Sequence, residues 1–168
     1  MFIQKLDSSG NFVWARAIGG IEDERSRSVA LDVNENPYVF CSFDDTVDFD
    51  PGTGMFTLAS VSSNGMHDAG LLKLDSNGNF LWALQFGVGF DDYEQSITTN
   101  QLGDIYLSGT LRADTVDFDP DTSVSYIPNN GNSDAYTVKL KDCYETMDSV
   151  VVMACIDYTV PSGNMTYN

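Results

Sequence analysis

Lys5 to Ala15 reads KLDSSGNFVWA and Lys73 to Ala83 reads KLDSNGNFLWA, identical at nine of eleven positions, with only Ser9/Asn77 and Val13/Leu81 differing. Trp14 and Trp82 stand 68 residues apart, and Tyr38 and Tyr106 keep the same 68. A second landmark, TVDFDP, occupies Thr46 to Pro51 and again Thr115 to Pro120, displaced by 69 because the second copy carries one extra residue before it. A third Lys-Leu element arrives at Lys139-Leu140, preceded by Asp134-Ala135 as Lys73 is preceded by Asp68-Ala69. The chain is therefore built by internal repetition, and the unit must be understood before the whole.

Each unit alternates β-rich runs with Gly, Asn, Asp and Ser clusters, which is strand and turn chemistry. Four main strands are expected per unit: Phe12 to Ala17, Ser28 to Val33, Pro37 to Phe43 and Gly70 to Leu74, then Phe80 to Phe86, Ser96 to Asn100, Asp104 to Thr110 and Ala135 to Leu140. A fifth short run surrounds Phe56 to Ala59. Ser9-Gly10 and Asn77-Gly78 fall where a tight hairpin needs positive φ, so Lys-Leu-Asp, turn, Asn-Phe-x-Trp reads as a hairpin. Along Pro37 to Phe43, Tyr38, Phe40 and Ser42 would face one side and Val39, Cys41 and Phe43 the other, so sheets are expected to stack on both faces. A four-stranded unit that repeats cannot bury both faces alone. Radial stacking gives an all-β, propeller-type arrangement: two four-stranded blades of an incomplete ring, with a β tail behind them. The expected division is residues 1–142 as two units (about 1–75 and 76–142) and 143–168 as a linker and the start of a cysteine-bearing β module.

The net charge of −17, from 25 acidic against 8 basic residues, repels phosphate backbones and anionic membranes. Nucleic acid and membrane insertion are excluded as partners on this ground and for want of a long apolar run. The acidic balance favours divalent cations, calcium first. With 42% apolar and 12% aromatic residues, the composition is that of a folded chain rather than a disordered acidic one. Met1 leads directly into strand-like sequence, and both ends are expected to be cuts in a larger polypeptide whose export signal lies elsewhere.

The landmarks together resemble the SBBP-type beta-propeller repeats of secreted and cell-surface bacterial proteins. The resemblance is carried by Gly10-Asn11-Phe12-Val13-Trp14-Ala15, Ile18-Gly19-Gly20, Asn36-Pro37-Tyr38-Val39, Thr46 to Gly52 and Lys73-Leu74-Asp75, and it covers about residues 2 to 142. The second unit departs from it with Gly87-Val88-Gly89 and with Asp121 in place of Gly52. It implies an extracellular or cell-surface setting, and a scaffold, adhesion or binding role more than a reaction.

Several residues invite chemistry. Asp48 and Asp50, like Asp117 and Asp119, alternate along an extended segment and so place two carboxylates on one side, where calcium would find hard oxygen ligands. Asp44, Asp45 or Asp114 would have to help complete six to eight oxygens. The competing reading is an acidic turn closed by Pro51 or Pro120, anchored by Phe49 and Phe118. Glu22-Asp23-Glu24 and Asp91-Asp92-Tyr93-Glu94 supply carboxylates of the kind glycosidases use. They occupy equivalent loops, however, and a catalytic pair needs unlike environments, so a solvated loop is preferred. Trp14 and Trp82 read as packing anchors rather than ligand platforms. His67 is the only histidine, which excludes a histidine triad or a multi-histidine zinc site within this chain. Cys41 reads as a buried core thiol, while a Cys143–Cys155 disulfide is an open alternative. The function expected is a non-catalytic repeat module binding an unknown protein or glycan, beside neighbouring units or its own copies. The alternative is part of a carbohydrate-active enzyme or lectin completed by blades outside this chain.

Overall fold

The computed structural model describes residues 1–61, 67–86, 93–111, 115–117, 126–128 and 133–142. Every regular element among them is a strand: β1 Phe2–Leu6, β2 Phe12–Ala17, β3 Glu24–Leu31, β4 Pro37–Phe43, β5 Thr46–Asp48, β6 Thr57–Ala59, β7 Asp68–Leu74, β8 Phe80–Phe86, β9 Tyr93–Thr99, β10 Asp104–Leu111, β11 Thr115–Asp117, β12 Tyr126–Pro128 and β13 Asp134–Lys141. All pairings are antiparallel: a hairpin β1-β2, a four-stranded sheet β3-β4-β7-β8, a three-stranded sheet β9-β10-β13 and two small ribbons, β5-β6 and β11-β12. The all-β class holds.

One turn makes four of the hairpins. In Asp7–Asn11, Asp32–Asn36, Asp75–Asn79 and Asn100–Asp104, the first N–H donates to the fifth carbonyl and the fourth N–H to the first carbonyl. The first side chain accepts the third and fifth N–H groups at 2.8–3.0 Å. This is the local side-chain mimicry that makes Asp and Asn turn residues. The fourth residue has positive φ in each: Gly10 82°, Glu35 61°, Gly78 79° and Gly103 80°. The two turns expected from Ser9-Gly10 and Asn77-Gly78 are present, and two more share their form. In Asn100–Asp104 the polar ends are exchanged, and the Asn100 amide donates to Asp104 where Asn11, Asn36 and Asn79 donate to an aspartate.

Strand β4 is buried along its whole length. Tyr38 and Phe40, with Ala69, Leu71, Trp82 and Phe86, pack onto Ile97, Ile105, Leu107, Val138 and Leu140 of the three-stranded sheet. On the opposite face Val39, Cys41 and Phe43, with Leu72, Leu74 and Ala83, pack onto Trp14 and Ile18 of the first hairpin, with Ile3 beside them. The two-faced reading of Pro37 to Phe43 is thus realised, and the three layers stack face to face. Sheet membership is out of phase with the repeat count. The tight turn Asp75–Asn79 ties Phe80–Phe86 to β7, so this strand completes the first large sheet, and among the described residues Phe12–Ala17 pairs only with β1. Strand β3 also starts earlier than the expected Ser28, at Glu24, because a bulge between Ser26 and Ser28 breaks the alternation.

Candidate functional site

The Asp-Phe-Asp-Pro loop sits where β5 leaves its ribbon. Val47 and Phe49 are fully buried, Phe49 meeting Phe43 edge-on at 5.2 Å and 82°. Asp48 and Asp50 lie half-buried, alternating with them as expected. Asp48 Oδ1 accepts the N–H groups of Asp50 at 3.0 Å and Phe56 at 2.9 Å, and Asp50 Oδ1 accepts Gly52 N–H at 2.7 Å. Asp44 Oδ1 likewise accepts the N–H of Asp45. These oxygens hold the loop shut. Among the described residues no group of three or more His, Cys, Asp or Glu converges on one point, whereas calcium takes six to eight oxygens. The carboxylate of Asp117, with Asp119 and Asp114, lies outside the described residues, as do Cys143 and Cys155.

The Gly-Gly and Asp-Phe-Asp-Pro landmarks touch. Gly19 bridges to Asp48, and a Cβ on Gly20 would stand 2.5 Å from the Thr46 carbonyl, a contact only glycine permits. Glu24 Oε1 accepts Gly20 N–H at 2.6 Å and Glu24 Oε2 lies 3.5 Å from the Met1 ammonium, while Asp23 pairs with Arg25 at 3.1 Å. The acidic run before β3 is thus divided between a cap and a surface ion pair, and does not form a facing carboxylate pair. Asp91 and Asp92 lie outside the described residues.

Both tryptophans are buried. Trp14 Nε1 donates to the Ser76 carbonyl at 3.1 Å, and Arg16, stacked over Trp14 at 5.6 Å, donates to the carbonyls of Gly78 and Asn77. The first hairpin thereby grips the turn of the next sheet. Trp82 leans on Tyr38, ring centroids 5.9 Å apart. Cys41 is buried, and its thiol donates to the Gly70 carbonyl at 3.4 Å.

The sequence reading did not single out the most concentrated set of charges. Lys73 is 2% exposed; its ammonium meets Asp142 directly, lies 3.3 Å from Asp32 and sits over the Tyr38 ring at 4.8 Å. Tyr38 donates its phenolic proton to Asp142 at 2.5 Å. Burial pushes the Tyr38 phenol far above its ordinary value, and the Asp142 hydrogen bond and charge push it further. Burial works to raise the Asp32 carboxyl, but hydrogen bonds from Asn36 and Asn34 and the Lys73 charge leave it lowered. The cluster fixes the end of β13 to β4 and β7. A lysine facing a tyrosine across an apolar pair of strands, Tyr38 opposite Lys73, was the available sequence signal.

A cleft of about 570 Å³ opens between the first hairpin and the β3-β4 end of the four-stranded sheet, lined by Phe2, Gln4, Leu6, Val29, Leu31 and Val39 among others. No family model matches the chain, and neither does any curated protein.

Proposed function

We propose that this chain is a non-catalytic repeat module of the extracellular or cell-surface kind, a scaffold or binding platform whose units stack as propeller-type blades. One observation carries the reading: residues a motif search would assign to chemistry are used for packing and turn closure. Trp14 and Trp82, 68 residues apart, are both wedged between layers. Asp7, Asp32 and Asp75 close identical turns, and Asp48 closes the loop at Phe56. Side chains committed to holding backbone in place are poor nucleophiles and bases, since their lone pairs already have partners. The SBBP-type resemblance supports the same setting, with residues 1–142 as the repeat region and 143–168 as a following module. The partner class is protein or glycan, with calcium as the ion to test at the Asp-Phe-Asp-Pro loops.

The test is an immobilised-chain screen against glycan and extracellular-protein arrays, run beside a panel of chromogenic glycosides. Saturable binding without turnover is the expected result, and turnover that survives repurification would overturn the reading. Thermal unfolding with excess calcium and with chelator decides the ion: a raised midpoint in calcium places it in the native state by mass action, and an unchanged midpoint removes it.

A further inference from the structure

The repeat supplies a direct comparison of what covers each sheet. Ile97 in β9 is 5% exposed, whereas Val29, its equivalent 68 residues earlier in β3, is 60% exposed. Their strand partners match as well: Ile97 pairs with Leu107 and Val29 with Val39, again 68 apart. Ile97 is covered because β3 and β4 of the preceding sheet lie over it. Its N–H donates to Ser28 Oγ at 3.3 Å, and Thr99 Oγ1 donates to the Leu31 carbonyl at 2.6 Å. Tyr38 and Phe40 share its core.

The four-stranded sheet receives only half of that cover. Ile3, Trp14 and Ile18 are the equivalents of Leu71, Trp82 and Phe86, and they fill the matching half of the interface. What would correspond to β3 and β4, the strands bearing Tyr38 and Phe40, has no counterpart in the β1-β2 hairpin. The cleft lies there, and it continues the interface that Ile3 and Trp14 already make. Among the described residues strand β1 also keeps one edge unpaired on that side, the edge through which its equivalent β7 pairs with β4. An unpaired edge beside an apolar groove is a template for strand addition.

We propose that this cleft is the docking site for a β-hairpin of the β3-β4 type, carried by another unit of the same repeat. It adds an antiparallel strand to the free edge of β1 and lays the counterparts of Tyr38 and Phe40 over Val29. This rests on the repeat-scaffold reading and names the partner that the stacking requires. A hairpin of this pattern matches the groove in both of its demands, backbone pairing for β1 and an aromatic face for the apolar floor.

The experiment is thiol labelling of Val29→Cys in the full chain with Cys143 and Cys155 replaced by serine, Cys41 being buried. A second protein carries an added copy of residues 1–68 ahead of the same chain, which places a complete β3-β4 hairpin beside β1. The expected result is a labelling rate at least tenfold slower in the extended protein, together with slowed amide exchange in the original Phe2–Leu6. Equal labelling in a folded extended protein overturns the proposal. If the unextended chain labels more slowly as its own concentration rises but exchange at Phe2–Leu6 is not slowed, a contact other than strand addition covers Val29 and the proposal also fails. Neither failure touches the non-catalytic reading, which falls only on turnover.

Discussion

Lys73→Met removes an ammonium from a residue that is 2% exposed and leaves Asp32 and Asp142 beside the Tyr38 ring without the cation that both of them meet. Breaking a buried ion pair from one side costs about 3–5 kcal/mol. The repeat contains its own control, because Lys5 occupies the equivalent position in β1. There the pair is open: Lys5 and Glu35 meet at 3.0 Å, with side chains 29% and 71% exposed, and a surface pair contributes about 0–1 kcal/mol. With a urea slope of about 2 kcal/mol/M, the Lys73→Met midpoint falls by roughly 2 M, whereas that of Lys5→Met moves by at most about 0.5 M. Urea unfolding followed by tryptophan fluorescence reads both, since Trp82 rests on Tyr38. Equal midpoints for the two variants at pH 7 would refute the claim that the cluster holds β13 to the central sheet.

Gly78→Ala should cost more than Gly10→Ala: both have positive φ, but a Cβ on Gly78 would meet the Trp14 ring at 3.0 Å while one on Gly10 meets nothing within 4 Å. The shared strain is about 1–2 kcal/mol, the crowding adds about 1–3 kcal/mol, and thermal melts of the two variants compare them directly. Phe49→Ala should lose about 3–5 kcal/mol in chemical unfolding, because Phe49 is fully buried against Phe43; a loss below about 1 kcal/mol would mean the Asp-Phe-Asp-Pro element is not anchored. On pH, the Asn11 hydrogen bonds hold Asp7 below the ordinary carboxylate value and the Asn100 hydrogen bond does the same for Asp104, while the Asn79 bonds to Asp75 and the Asn36 bonds to Asp32 outweigh burial. Depressed folded values favour the native state above the ordinary value of 3.8, and that contribution is lost as pH falls through the folded values. Melting midpoints measured against pH should therefore be level from about pH 7 to 5 and drop below about pH 4; a decline that begins above pH 6 would contradict this origin.

The repeat, the two-faced Pro37 to Phe43 strand and the hairpins turning at Gly10 and Gly78 were legible because each is encoded in adjacent residues. The turn at Asp32–Asn36 was not, since Glu35 stands where Gly marks its relatives. Its Asp-x-x-x-Asn spacing, matched at Asp7 and Asp75, was the overlooked sign. Sheet membership was not readable from a period, because a repeat can be cut at any phase while hydrogen bonds choose one. The alternation of Asp48 and Asp50 was read correctly, but alternation fixes only the side of a strand. Whether the carboxylates face a cation or their own backbone depends on the course of the loop from Pro51 to Phe56. The Lys73 cluster joins residues as far apart as 104 positions, and nothing local distinguishes a lysine bound for the interior from one bound for solvent.

In the central sheet the turns Asp32–Asn36 and Asp75–Asn79 lie at one end, and the first hairpin's Trp14 and Arg16 hold the second of them. The connection from Asp44 to His67 leaves from the other end, and the slip from 68 to 69 residues also falls there, between Tyr106 and Thr115. One rim therefore works as a fixed pitch gauge, and the other absorbs a one-residue change in length. A residue can be added on that rim, away from the Gly19–Asp48 contact, without changing the turns that set how far one layer sits from the next.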